Sequence, residues 1–307
     1  MASTVLVLGL LGGTAVAFAV TETLKLQLSP IAAPRIDKVF SPVCGCRSAS
    51  ATIRFRLREA DRLTVAVVDD GGDVVRTLAR ARSERRGDVT YEWDGRDDAG
   101  RIVDEGSYRP RVRLAEERRT IVLPNPIEVD VTPPRIRGVR ASPATISPDG
   151  DGRADRLVVR YRVDEPAHGL LFVRGKREIY TRFQRLADEM IWSGRRGRRA
   201  VPPGQYSLAV AARDTAGNVG PTVTLAPLRV RYVELARETI RATARTRFGV
   251  RVDTDAPSYM WVFAGRSGRS RERLLVLRAP RAGRYRLFVE TNRHADSARV
   301  IVRPRGG

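Results

Sequence analysis

The chain of 307 residues contains only two cysteines and two histidines, and this scarcity disfavours several classes of site. A structural zinc site needs four ligands, usually as two closely spaced pairs of cysteine or histidine. Cys44 and Cys46 lie far along the chain from His168 and His294, so we expect no zinc site. A serine triad needs a histidine base, and neither histidine has a nucleophile motif nearby. We therefore expect no catalytic residues and no required cofactor.

Lysine is also scarce, since it accounts for three of the 56 basic residues. Such a bias towards arginine is typical of the codon usage of a GC-rich genome. We therefore favour codon usage over selection for an anionic ligand as the origin of the positive charge. The net charge of +21 is unevenly spread. Residues 35–131 carry 19 basic and 18 acidic side chains, residues 132–231 carry 19 and 9, and residues 232–307 carry 17 and 7. The two distal regions are therefore basic, and a basic surface attracts anionic polymers.

One long hydrophobic run stands at the N terminus. No charged residue occurs from Thr4 to Val20; as a helix this run would be about 25 Å long, a little short of a bilayer core of about 30 Å. Residues 1–24 have two interpretations, a retained signal anchor or a signal peptide cleaved after a small-x-small pattern. We favour the anchor, with membrane contact through residues 4–24 and the other domains extracytoplasmic. Cleavage would make the protein secreted.

The rest of the chain repeats itself. Trp93 recurs as Trp192, and Tyr108 recurs as Tyr206. Large apolar residues recur at every second position before and after these aromatic residues, in several strands with arginine between them, which is the period of a half-buried strand. Gly283-Arg284-Tyr285 marks a weaker third copy. Because aromatic residues at equivalent sites of a repeat indicate a shared core, we predict that the four are structural and do not form a carbohydrate platform.

Short strands separated by Gly, Pro and Asp turns are typical of a β-sandwich of about 100 residues. We therefore predict an all-β protein with tandem immunoglobulin-like β-sandwich domains after one N-terminal hydrophobic helix. Residues 183–190 and 232–242 are the best candidates for further helices, and 232–242 is equally interpretable as a linker that continues into a strand. The predicted divisions are a linker at 25–34 and domains at 35–131, 132–231 and 232–307.

The turn of the first repeat combines Trp93, Asp94, Gly95, Asp97, Asp98, Gly100, Gly106 and Tyr108. These residues together resemble the FlgD/Vpr-type immunoglobulin-like domain of bacterial proteins. The second repeat keeps Trp192, Gly194 and Tyr206 but replaces the acidic turn residues with Arg195 and Arg196. The resemblance implies a sandwich fold in an exported or membrane-anchored protein. It implies no particular function, because the same sandwich occurs in flagellar hook caps, protease tails and envelope proteins.

Residues 147–155 form the strongest chemical motif, Ser-Pro-Asp-Gly-Asp-Gly-Arg-Ala-Asp. Asp149, Asp151 and Asp155 are spaced so that their oxygen atoms could turn towards one hard cation, with calcium as the natural ligand. The pattern is similar to a phrase common in exported sandwich modules. The alternative is a turn-rich loop that only begins a strand.

The first repeat carries its cysteines at the equivalent turn, since Cys44 aligns with Gly150 and Cys46 with Gly152. We predict a Cys44–Cys46 disulfide that stiffens this turn. An intermolecular bridge and two free thiols are the alternatives.

Three functions fit these features. We favour a non-catalytic, membrane-anchored envelope protein that presents its modules for binding or assembly, with an unidentified protein or an anionic envelope polymer as partner. The first alternative is an accessory binding subunit of an exported enzyme system. The second is a polyanion or nucleic-acid binder that uses the basic distal modules; nucleic acid is the less favoured ligand, because codon usage explains the arginine content.

Overall fold

The computed structural model describes Thr14 and residues 29–305. The chain divides into two compact units, Met1–Thr132 and Pro133–Gly307. The hydrophobic segment predicted at residues 1–24 lies outside the described residues apart from Thr14. Within the described part of the chain, no helix is both long enough and apolar enough to cross a membrane.

Unit 1 is a β-sandwich, which we call the first module. One sheet has the strand order β1-β3-β6, and the other has the order β2-β9-β7-β4-β5 with β8 beside β7. Ile53, Phe55 and Leu57 alternate with exposed or half-buried residues along β3, so their side chains are buried between the sheets. The strands are β1 (Ile31–Ile36), β2 (Val39–Phe40), β3 (Ala51–Leu57), β4 (Asp61–Val68), β5 (Val74–Glu84), β6 (Gly87–Trp93), β7 (Gly106–Leu114), β8 (Arg119–Val122) and β9 (Ile127–Val129).

The first module begins earlier than the sequence predicted. Residues 31–34 were assigned to a linker, but β1 starts at Ile31. The Ile31 side chain is buried in the core, and its backbone pairs with Leu57 of β3. Burial of this apolar side chain is the physical reason that the segment joins the sandwich.

Unit 2 contains two sandwiches, the second and third modules. The second module has the order β10-β12-β17-β18-β11, with β13 and β14 also paired to β12. β12 serves both sheets, because its first half pairs with β10 and β14 and its second half with β13 and β17. The strands are β10 (Ile136–Ser142), β11 (Thr145–Ile146), β12 (Leu157–Val173), β13 (Lys176–Tyr180), β14 (Arg185–Trp192), β15 (Arg195–Arg196), β16 (Arg199–Ala200), β17 (Gly204–Arg213) and β18 (Val223–Val230).

The third module has the sheets β19-β21-β24 and β20-β26-β25-β22-β23. Its own core contains Val252, Leu287 and Val300. The strands are β19 (Val233–Leu235), β20 (Thr239–Thr243), β21 (Arg247–Thr254), β22 (Tyr259–Phe263), β23 (Arg266–Ser270), β24 (Leu274–Arg278), β25 (Gly283–Thr291) and β26 (His294–Arg303).

All three modules share one strand order. Each has a three-stranded sheet facing a larger sheet, and in each the larger sheet contains one parallel pair, namely β2 with β9, β11 with β18, and β20 with β26. The predicted all-β series of sandwiches is confirmed for the described residues. The predicted helix at 183–190 is wrong, since this segment contributes to β14. Of the two interpretations of residues 232–242, the helix is wrong and the continuation into a strand agrees with β19 and β20. Met190 and Trp192 of β14 alternate into the core while β14 pairs with β12, and this sheet environment overrides the local helical pattern.

Candidate functional site

The predicted site residues lie in two equivalent loops, one in the first module and one in the second. We call residues 41–48 the cysteine loop and residues 147–155 the aspartate loop. Each loop begins with a buried serine whose backbone N–H closes the loop, from Ser41 to the carbonyl of Ser48 at 3.1 Å and from Ser147 to that of Ala154 at 2.9 Å. The same closure over seven residues explains why the two loops align in the sequence.

Each loop rests on the Trp-x-Gly turn of its own module. A Cβ atom at Gly95 would lie 2.8 Å from Pro42, and one at Gly194 would lie 2.8 Å from Pro148. Both glycines have positive φ, at 72° and 64°. Glycine is therefore required twice over, by backbone conformation and by close approach to the proline.

The cysteine loop contains a bond between the two cysteines. Cys44 and Cys46 are joined as a disulfide across Gly45, which has a φ of 58°. The predicted pair therefore lies within one turn. No other cysteine occurs in the chain.

The aspartate loop brings its three carboxylates together. One oxygen from each of Asp149, Asp151 and Asp155 lies within 4.8 Å of the others. Asp155 accepts hydrogen bonds from the backbone N–H of Gly150 and of Gly152, both at 2.7 Å, one on each carboxylate oxygen. Asp155 therefore holds the loop together from within.

Calcium fits this loop in part. The carboxylate oxygens are the correct ligand type, and their spacing suits one cation. However, calcium takes six to eight oxygen ligands, and the three carboxylates already accept hydrogen bonds. Asp151 accepts one from the N–H of Arg153 at 2.8 Å, and Asp149 accepts one from the side-chain amide of Asn292 at 2.9 Å. The loop is thus hydrogen-bonded by the protein itself, and calcium binding stays a prediction.

The aspartate loop also meets the third module, which the sequence did not indicate. Asn292 reaches Asp149 from the turn between β25 and β26. Beside it, the ring of His294 stacks on that of Tyr232, with centroids 3.5 Å apart and planes within 2°. Burial lowers the pKa of His294, against the opposing effect of Asp149. The stacked ring is therefore favoured in its neutral form.

A fourth carboxyl group, that of Asp255, approaches the same loop from the third module. Burial raises the pKa of Asp255, and the negative charges of Asp149 and Asp151 raise it further. Asp255 and Asn292 lie at least 100 positions from the aspartate loop, and neither belongs to a repeated motif. Only the folded arrangement of the second and third modules reveals them.

The predicted structural aromatic residues lie in the cores. Trp93, Tyr108, Trp192 and Tyr206 are all buried. Each tyrosine hydroxyl donates a hydrogen bond to the carbonyl four residues earlier, Tyr108 to Asp104 at 2.8 Å and Tyr206 to Pro202 at 2.7 Å. Tyr285 of the third module does the same to Arg281 at 3.0 Å. This hydrogen bond from a tyrosine hydroxyl to a preceding carbonyl is known as a tyrosine corner, and in every module it stabilises the start of the strand that contains the tyrosine.

The two histidines lie in structural contacts of unit 2. The Nδ1 atom of His168 lies 2.8 Å from the carbonyl oxygen of Thr181, and its ring packs against Tyr180. His294 stacks on Tyr232.

Residues 47–117 match the family model described as FlgD Ig-like domain, which confirms the resemblance for the first module. The second and third modules lie outside the matched residues. No curated protein sequence matches the chain.

Three solved structures show a weak similarity to the chain. Fibronectin(III)-like modules of CbhA from Clostridium thermocellum are 15% identical, with 66% of this chain and 90% of that chain covered and a TM-score of 0.36. An I-band fragment of titin is 11% identical, with 91% and 100% covered and a TM-score of 0.32. A structure of a 1.5-MDa bacterial ice-binding adhesin is 12% identical, with 90% and 99% covered and a TM-score of 0.28. TM-scores this low carry no argument about function.

Proposed function

We propose that this chain is a non-catalytic protein of the cell envelope that presents three immunoglobulin-like modules for binding or assembly. Residues 4–24 hold it in the membrane, and the modules lie outside the cytoplasm. The observation that carries the proposal is the threefold use of one sandwich with the same strand order. Repetition of one scaffold multiplies the surface that is available to partners, which suits binding.

Two further features support the proposal. The first module matches a bacterial immunoglobulin-like family. Cys44 and Cys46 are placed to form a bond within one turn, and such bonds persist in oxidising compartments outside the cytoplasm. The histidines offer little for acid–base catalysis, because each ring is engaged in a packing contact.

Membrane fractionation tests this function. The full chain and a variant without residues 1–24 are expressed in a bacterial host, and membrane and soluble fractions are separated. We expect the full chain in the membrane fraction and the truncated chain in the soluble fraction. Equal partitioning of the two proteins would contradict anchoring by residues 4–24.

A further inference from the structure

The larger sheet of the third module carries a basic outer surface. Along β20, β25 and β26, buried residues such as Val300 alternate with exposed arginines, so the arginines share the face away from the core. We call this surface the basic face and define it by five residues, Arg241, Arg284, Arg286, Arg299 and Arg303.

The strand register places these arginines around one apolar residue. Ile301 of β26 pairs with Arg284 on one side and with Arg241 on the other. Arg299 and Arg303 stand two residues before and after Ile301 on the same strand. Neighbouring strands lie about 4.8 Å apart, and alternate residues of one strand lie about 6.7 Å apart. The five guanidinium groups therefore project from one small area.

The charges of the basic face are not neutralised within the described part of the chain. None of its five arginines forms an ion pair or a side-chain hydrogen bond with another described residue. Arg286 and Arg299 stand directly opposite each other across β25 and β26, an arrangement of like charges that destabilises a sheet. Glu290 is the one carboxylate on the outward side of the described strands of this sheet. An anion bound here would relieve the repulsion.

Some arginines elsewhere in the chain do have acidic partners. In the first module Arg62 pairs with Glu116, Arg101 with Asp97, and Arg109 with Asp70. Codon usage explains the number of arginines, but it does not explain why one face collects them without acidic partners. The clustering therefore points to a ligand.

We infer that the basic face binds a phosphodiester-linked anionic polymer of the cell envelope. The planar guanidinium group matches phosphate with two parallel hydrogen bonds, and a polymer presents several phosphates at once to the five arginines. A single-stranded nucleic acid would need successive aromatic rings for base stacking, whereas Phe288 is the one exposed aromatic ring on the outer side of this sheet's described strands. The inference deepens the proposed function, on which the envelope location rests, by giving the class of partner.

A matched pair of triple variants tests the inference. The first variant is R284Q/R286Q/R299Q on the basic face. The control is R247Q/R251Q/R278Q, whose arginines are exposed on the other sheet of the same module. Both variants lower the net charge by the same amount. Binding of the full chain, in neutral detergent, to lipid-free poly(glycerol phosphate) is measured at several salt concentrations, and melting temperatures establish that both variants fold.

We expect the first triple to weaken binding at least tenfold. It should also reduce the slope of log affinity against log salt by about 2, since about three phosphate contacts are lost. The control triple should weaken binding less than about threefold. In the absence of polymer, R286Q alone should leave the melting temperature unchanged or raise it, because it removes the repulsion with Arg299.

Three results would overturn the inference. Equal losses in the two triples would mean that net charge alone governs binding. Tighter binding to single-stranded DNA of equal charge would identify a nucleic acid as the ligand. Binding to vesicles containing anionic phospholipid, without binding to the polymer, would identify a bilayer. None of these results bears on fractionation of the full chain, so failure of the inference and failure of the proposed function are distinguishable.

Discussion

Gly95 shows at the scale of one residue how the sequence fixes a loop. Its backbone has a φ of 72°, and its missing side chain leaves room for Pro42. Gly194 repeats both features against Pro148 in the second module. The proline at the second position of each loop and the glycine two residues after each tryptophan therefore act as a pair, although they lie more than 40 residues apart in the chain.

Gly95→Ala should destabilise the first module by about 2–4 kcal/mol, from the positive φ together with the clash against Pro42. Gly100→Ala is the matched control, because Gly100 also has a positive φ, at 78°, but no atom lies within 4 Å of its Cβ position. The control should cost about 1–2 kcal/mol. Thermal unfolding of both variants gives the comparison, and equal losses would exclude the contact with Pro42 as a constraint.

Tyr91 gives a test of pH dependence. Burial and a hydrogen bond to Glu84, 3.1 Å away, raise its pKa from 10.0 to about 12. The folded state therefore favours the neutral hydroxyl, and the stability from this preference is present below pH 10 and lost as the pH rises towards 12. Tyr91→Phe should lower the melting temperature slightly at pH 8 but make it fall less steeply between pH 10 and 12. If the melting temperatures of the two proteins fell equally steeply between pH 10 and 12, Tyr91 would not be responsible for the loss of stability at high pH.

The cysteine loop and the aspartate loop show at the scale of an element how one loop conformation is stabilised in two ways. In the first module a bond between Cys44 and Cys46 crosses the turn. In the second module Asp155 accepts two backbone hydrogen bonds across the same turn. Hydrogen bonds to a charged acceptor are stronger than those between neutral groups.

Asp155→Ala should therefore lower the stability of unit 2 by about 1–3 kcal/mol even in the presence of a chelator, since two backbone N–H groups lose their acceptor. Asp151→Ala removes another carboxylate of the same cluster. Asp151 accepts one hydrogen bond from a backbone N–H, that of Arg153, whereas Asp155 accepts two, so this variant should lose less stability. Melting temperatures measured with EDTA and with calcium distinguish a hydrogen-bonded turn from a calcium site. If the variants matched the unaltered protein in EDTA and differed from it only with calcium, the aspartates would act as metal ligands and not as a hydrogen-bonded turn.

Some of these elements can be predicted from the sequence and others cannot, for physical reasons. Alternation of Ile53, Phe55 and Leu57 predicted a strand, because an apolar period of two buries one face of a sheet. The amphipathic pattern of residues 183–190 predicts a helix, because the pairing with β12 that decides the structure of this segment is not visible in the local sequence. Asn292 and Asp255 could not be predicted as neighbours of Asp149, since no pattern in the sequence specifies how the third module packs on the second.

The whole molecule combines one repeated fold with an unequal distribution of charge. Some arginines of the first module, such as Arg101 and Arg109, have acidic partners, whereas the five arginines of the basic face have none among the described residues. The strand order is constant while the surface varies, which is what a scaffold with specialised modules requires. On this account the modules bind and hold partners outside the cytoplasm, and the chemistry of each surface determines the partner.

Protease accessibility in spheroplasts tests this central claim most directly. The full chain is expressed in a bacterial host, protease is added to intact spheroplasts, and the fragments are followed with antibodies against residues 232–305. The account predicts that the modules are cut without lysis, while a cytoplasmic marker protein stays intact. Protection of the modules until the membrane is lysed would place them in the cytoplasm and contradict the account.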